Sequence, residues 1–196
     1  DGFDVLLTLV GDAYVAESRT PAGDALLAVA ANLQDVDPLS LARREQLWLD
    51  AEKLLRRQNL HCPADDLPAL LDRSYEHPVW EKKSQECFSC GSCVMVCPSC
   101  FCFDVQDEVD WDLASGTRRR LWDSCLLTEF ALVAGGHNFR AKREQRYRHR
   151  FYRKGKYLPQ RCGFFACVGC GRCAAACVPG IANPVEVYNS LLEDSQ

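Results

Sequence analysis

Eight of the thirteen cysteines fall into two runs of one spacing. Cys87, Cys90, Cys93 and Cys97 are followed at once by Pro98; Cys167, Cys170, Cys173 and Cys177 are followed two positions later by Pro179. Each run reads C-x2-C-x2-C-x3-C, a spacing that suits iron-sulfur chemistry. Three thiolates two residues apart can wrap a loop around one cubic 4Fe-4S cluster, with backbone N–H groups turned toward the sulfides. The fourth cysteine sits on the helical turn that follows and reaches the neighbouring cluster. The expected ligand sets are therefore crossed: Cys87, Cys90, Cys93 and Cys177 for a first cluster, Cys167, Cys170, Cys173 and Cys97 for a second. Gly91 and Gly171 stand at matching places in the two loops, where a Cβ would crowd the closing backbone.

Competing chemistries fit the pattern less well. Thirteen is an odd number, and thiols two and three residues apart are too crowded for mutual disulfides. Tetrahedral zinc takes two close ligands from each of two separated knuckles rather than four from one eleven-residue run. A radical-generating cluster needs C-x3-C-x2-C, which neither run has. Five cysteines remain: Cys62, Cys100, Cys102, Cys125 and Cys162. They are either buried small apolar side chains or, in part, a third metal site of Cys100, Cys102 and Cys125 with Cys62, Cys162 or a histidine as fourth ligand.

The elements that must position these thiols belong to a chain of 196 residues, 47% apolar and 26% charged, a globular composition. No apolar run is long enough to span a membrane, and the opening DGFDVLLTLV lacks the basic and small-residue features of a signal peptide. The chain starts at Asp1 rather than Met, so further residues are expected ahead of it. Residues 1–75 read as a mostly helical layer, the end of a longer N-terminal domain. FDVLLTLV is compatible with a buried strand or a helix. Asp37 can cap a helix that starts at Pro38 and carries Leu47, Ala51, Leu54 and Leu55 on one packing face. ADDLPALLDRSYEHPVW reads as a further helix broken before Pro78.

Seventy residues separate Cys97 from Cys167, and something is inserted there. FCFDV, EVDWDL, a Ser115-Gly116 turn and RRRLW read as short antiparallel strands. A helix up to Val133, a break at Gly135-Gly136 and a second helix from about Arg140 to Tyr152 complete the insertion. The net charge of -4 conceals a division: residues 118–161 hold 13 basic and 3 acidic side chains. Arg140, Lys142, Arg143, Arg146, Arg148, Arg150, Arg153 and Lys154 could bind nucleic acid. Lying between the two ligand sets, they fit better as countercharge to the thiolates or as a docking surface for an acidic partner. His137, Asn138 and Arg140 beside the glycine pair are expected to shape a turn.

CGSCVMVCPSCFCFDVQDE, RRLWDSC, VAGGHNFR, RYRHRFYRK and CVGCGRC, in this order over roughly residues 76–192, resemble the iron-sulfur beta subunit of cytoplasmic nickel-iron hydrogenases linked to NAD(P)H, the sulfhydrogenases. FDVLLTLVGDAYVAE is similar to the N-terminal part of that family. An iron-sulfur component of anaerobic sulfite reductase shares the layout. The resemblance implies an α+β fold: a ferredoxin-like core for two 4Fe-4S clusters over 76–196, with an insertion at about 100–161, behind the helical segment 1–75. It implies a cytoplasmic electron-transfer subunit between a flavoprotein that exchanges hydride with NAD(P)H and an iron-sulfur small subunit serving a nickel-iron or siroheme site. No catalytic residue and no dinucleotide or phosphate-binding motif is visible in the chain. Two other readings stay open: a stand-alone iron-sulfur protein that binds nucleic acid or senses, and direct reduction of a substrate at an exposed cluster.

Overall fold

The computed structural model describes residues 2–55 and 58–193. Helices and short two-stranded sheets are mixed, and the chain divides into two compact units, Asp1–Asn59 and Leu60–Gln196.

The first unit opens on a hairpin rather than a helix. β1 (Val5–Val10) and β2 (Ala13–Ser18) pair antiparallel, from Val5 opposite Ser18 to Val10 opposite Ala13. Their apolar and β-branched residues favour the pleated ribbon. Two helices complete the unit. Pro21 opens α1 (Pro21–Ala28), whose first turn is capped by the Thr20 hydroxyl accepting from Gly23 N–H at 3.1 Å. Asp37 caps α2 (Pro38–Leu55) by accepting from Ser40 N–H at 2.9 Å, as the sequence predicts. The predicted packing face of α2 is exposed, however: Leu55 is 76% accessible and no residue of the helix is buried. A ribbon of two strands about 5 Å apart is too narrow to cover an eighteen-residue helix.

The first compact unit ends at Asn59 and the second begins at Leu60. The reason is packing. α3 (Leu67–Arg73) buries Leu67, Leu70 and Leu71 in one core with Trp80 of α4 (Val79–Glu86), so it belongs to the second unit. Trp80 is fully buried, and its indole N–H donates to Ser74 O at 2.7 Å. After α4 come the short α5 (Ser92–Met95) and a hairpin of β3 (Phe103–Val109) with β4 (Gly116–Trp122), paired from Phe103 opposite Trp122 to Val109 opposite Gly116. EVDWDL is split: its first two residues end β3, and Asp110 to Ser115 form the turn, where Asp112 accepts from Ala114 and Ser115 N–H.

The helix expected up to Val133 is only a 3-10 turn, Thr128–Ala131. Gly135 and Gly136, both at positive φ, fold the chain back so that Asn138 bridges to Leu132 and donates to Thr128 O at 2.7 Å. The turn role expected of this segment is what its hydrogen bonds describe. α6 (Arg143–Tyr152) then runs through a π-helical turn, Arg153–Tyr157, into α7 (Leu158–Cys162). α8 (Arg172–Ala175) and α9 (Pro184–Glu193) complete the unit. Tyr147, Phe151 and Tyr152 of α6 meet Trp80, with Val187, Tyr188 and Leu191 of α9 closing the core. Gly155 lies in the π turn because its neighbours leave no room: a Cβ there would stand 2.8 Å from the Tyr188 hydroxyl and 2.9 Å from Leu71 Cδ1.

Candidate metal centre

The two cysteine runs fold alike. Gly91 and Gly171 adopt positive φ, 76° and 73°, and each caps a single helical turn, α5 or α8. In the first, Gly91 O accepts from Val94 and Met95 N–H, and Val94 O accepts from Cys97 N–H. In the second, Gly171 O accepts from Ala174 and Ala175, and Ala174 O accepts from Cys177. The fourth cysteine of each run is thereby held at the end of its turn. α5 and α8 pack on one another, which sets the two runs side by side.

One cavity is lined by Cys87, Cys90 and Cys93 of the first run together with Cys177 of the second. Phe88, Leu126, Ile181 and Ala182 give it apolar walls, and Tyr147 and Arg150 face it from α6. Cys87 and Cys93 are buried, whereas Cys90 is exposed beside the Ser92 hydroxyl at 3.3 Å. Burial pushes the Cys93 thiol up to about 11, with the Arg150 charge opposing.

Cys97 turns elsewhere. Its neighbour Ser99 donates to Ala166 O, beside Cys167. Cys97 Sγ accepts from Lys154 Nζ at 3.3 Å, and the same ammonium donates to Ser99 Oγ at 2.8 Å. Burial opposes ionisation of this thiol, but the Ser99 hydroxyl and amide and the Lys154 charge outweigh it and bring it down to about 7. Cys167 and Cys173 are half-buried and both lie close to Tyr188, while Cys170 is exposed.

Among the described residues, no three Cys, His, Asp or Glu side chains close on a point as a single metal ion requires. Thiols ringing a cavity suit instead a polynuclear cluster, whose ligated irons sit at separate corners. Arg150 supplies a second sign of fit. It is 4% exposed, its Nε has no hydrogen-bond partner, and it borders the cavity. A sulfide or thiolate is the kind of acceptor it lacks. Burial alone would lower the pKa of this guanidinium, yet the thiols of Cys93 and Cys173 outweigh that and move it upward.

None of the remaining cysteines lines that cavity. Cys100, Cys102 and Cys125 are buried in an apolar cluster with Val94, Leu126 and Ala182 and do not form a metal-binding group. Cys62 packs against the other core and Cys162 is exposed at the end of α7. Burial raises the Cys100 thiol to about 11, while the Cys125 thiol held against Cys102 brings Cys102 down to about 6. Burial of this kind suits packing residues.

Of the cationic run, Arg146, Arg148, Arg150 and Lys154 are buried and cannot present themselves to a phosphate backbone. Arg148 covers the Tyr75 ring at 3.8 Å and donates to Tyr75 O at 2.9 Å. Sequence reasoning gave no site role to Ser99, Tyr147 or Tyr188, although the first two lie within the quoted motifs CGSCVMVCPSCFCFDVQDE and RYRHRFYRK. Tyr147 donates to Ile181 O at 2.6 Å and Tyr188 to Phe151 O at 3.0 Å. Only the proximity of Ser99 to Cys97 marked any of them.

Residues 86–181 match the family model of a 4Fe-4S dicluster domain. The chain is 34% identical over 195 residues to "Sulfhydrogenase 2 subunit beta" of Pyrococcus furiosus, an alignment covering 98% of this chain and 56% of that protein. No solved structure matches.

Proposed function

We propose that this chain, a homologue of a sulfhydrogenase beta subunit with a 4Fe-4S dicluster domain, relays single electrons through two 4Fe-4S clusters in a ferredoxin-like core. The observation that carries the reading is the cavity shared by Cys87, Cys90, Cys93 and Cys177, which draws its fourth thiol from the opposite run. We assign Cys167, Cys170, Cys173 and Cys97 to the other set, on the contacts of Ser99 with Ala166 and of α5 with α8. When bound, the clusters supply reversible one-electron chemistry.

The protein's residues do the rest. The thiols bind as thiolates, so loading releases protons. Leu126, Ile181 and Ala182, all buried, shield the inner side of the first set from water. Arg150 offers countercharge to both sets, through Cys93 and Cys173. One thiol in each set, Cys90 or Cys170, is exposed, which leaves an edge where an electron can enter or leave. No helix is long and apolar enough to cross a membrane.

The partners in this reading are a flavoprotein that oxidises or reduces NAD(P)H and, on the far side, an iron-sulfur small subunit with a nickel-iron large subunit, all in the cytoplasm. Purification of the native complex tests it: flavin, nickel and this chain should elute together. Siroheme without nickel would move the assignment to a sulfite-reductase complex. A monodisperse single chain that shifts DNA would overturn it.

A further inference from the structure

Three buried cations stand at i, i+4 and i+8 along α6 and its π turn: Arg146, Arg150 and Lys154, 5%, 4% and 6% exposed. That spacing puts them on one face, and among the described residues no carboxylate forms an ion pair with any of them. Each lies by a different part of the thiol array. Arg146 is near Cys87, Arg150 is near Cys93 and Cys173, and Lys154 donates to Cys97.

They are not equivalent. Arg146 has its N–H groups committed to Leu126 O, Arg140 O, Ala141 O and Ser89 Oγ, none of them a sulfur. Arg150 faces both ligand sets, Cys93 through charge and Cys173 through charge and a hydrogen bond, so it does not single out one of them by its charge. Lys154 places an ammonium in hydrogen-bond contact with the ligand thiol of Cys97, at 3.3 Å, and its other partners are the nearby Ser99 and Cys100, so its charge bears on one set. An electron added to a ligand set deepens its negative charge, and a fixed, desolvated cation stabilises that state more than the oxidised one.

We propose that Lys154 is a positioning residue for electron transfer that raises the reduction potential of the cluster held by Cys97, Cys167, Cys170 and Cys173 above that of its neighbour. The inference rests on the two-cluster reading. An electron shared between the two clusters then settles on the set beside Lys154. The gradient is written into the helix that separates the two cysteine runs in sequence.

Redox titration of the anaerobically purified chain, followed by EPR, tests it with Lys154→Met and Lys154→Arg. The wild type should show two one-electron waves. In Lys154→Met, with iron content unchanged, the more positive wave should move to a more negative potential while the other stays. Lys154→Arg, which keeps a charged donor, should restore most of the shift. Both waves unmoved, or both moved equally, overturns the inference. Should Lys154→Met lose iron, Ser99→Ala removes the hydroxyl shared by Lys154 and Cys97 and is read on the same wave, with the same two outcomes. A wild-type chain that shows no 4Fe-4S signal refutes the underlying cluster reading instead.

Discussion

Gly91 and Gly171 hold the same place in the two cysteine runs, yet a methyl group at each meets different surroundings. Both sit at positive φ, so alanine at either costs about 1–2 kcal/mol of backbone strain. At Gly91 the new Cβ would also stand 2.9 Å from Ser124 Cβ, whereas at Gly171 nothing lies within 4 Å. Gly91→Ala should therefore lower the denaturation midpoint clearly more than Gly171→Ala, and equal effects would show that Ser124 moves aside. His149 gives a pH test. Burial, helped by the charges of Arg140 and Arg153, lowers its pKa to about 4, against about 6.5 in an unfolded chain. Between those values the unfolded state binds more protons, so stability is full above pH 6.5 and falls as pH drops toward 4. His149→Gln should flatten that fall in a series of melting curves. At this scale the eight ligand candidates were legible because their spacing is local. The burial of Arg150 and Lys154 was not, because a run of cations in sequence does not say which of them a tertiary core will cover.

The helix that runs from α6 through the π turn into α7 is the element on which the site and the core meet. Its Tyr147, Phe151 and Tyr152 face Trp80, while its Arg150 and Lys154 reach the thiols and Arg146 lies near Cys87. Trp80→Ala should cost about 3–5 kcal/mol, read as a loss in chemical-denaturation free energy. Gly155→Ala overfills the contact with Tyr188 and Leu71 and should cost about 1–3 kcal/mol. The helix was readable from the glycine break ahead of it, with its start expected near Arg140 rather than at Arg143, but the π turn was not, since it answers to the close approach of α3 and α9 at Gly155. The β3–β4 hairpin was readable from alternation. What hid its turn was EVDWDL, where alternation runs past Val109 although Asp112 and Ser115 close the loop with side-chain hydrogen bonds.

For the molecule as a whole, all eight candidate ligands and the aromatic core lie in the unit that begins at Leu60. Residues 60–196 expressed alone should accordingly keep their iron, and loss of all iron on removing residues 1–59 would show that the first unit is needed to hold it. The placement of Asn59 as the boundary was not legible because α3 reads as one more amphipathic helix until its partner, Trp80, is known. The central claim is that one chain holds two 4Fe-4S clusters with crossed ligands. Its most direct test is iron, acid-labile sulfide and zinc analysis of the anaerobically prepared chain beside Cys177→Ala. About eight irons and eight sulfides are predicted for the wild type, without zinc. In the variant the cluster of Cys87, Cys90 and Cys93 should be disturbed and the other intact by EPR. About four irons, stoichiometric zinc, or damage in the variant confined to the cluster of Cys167, Cys170 and Cys173 would contradict it.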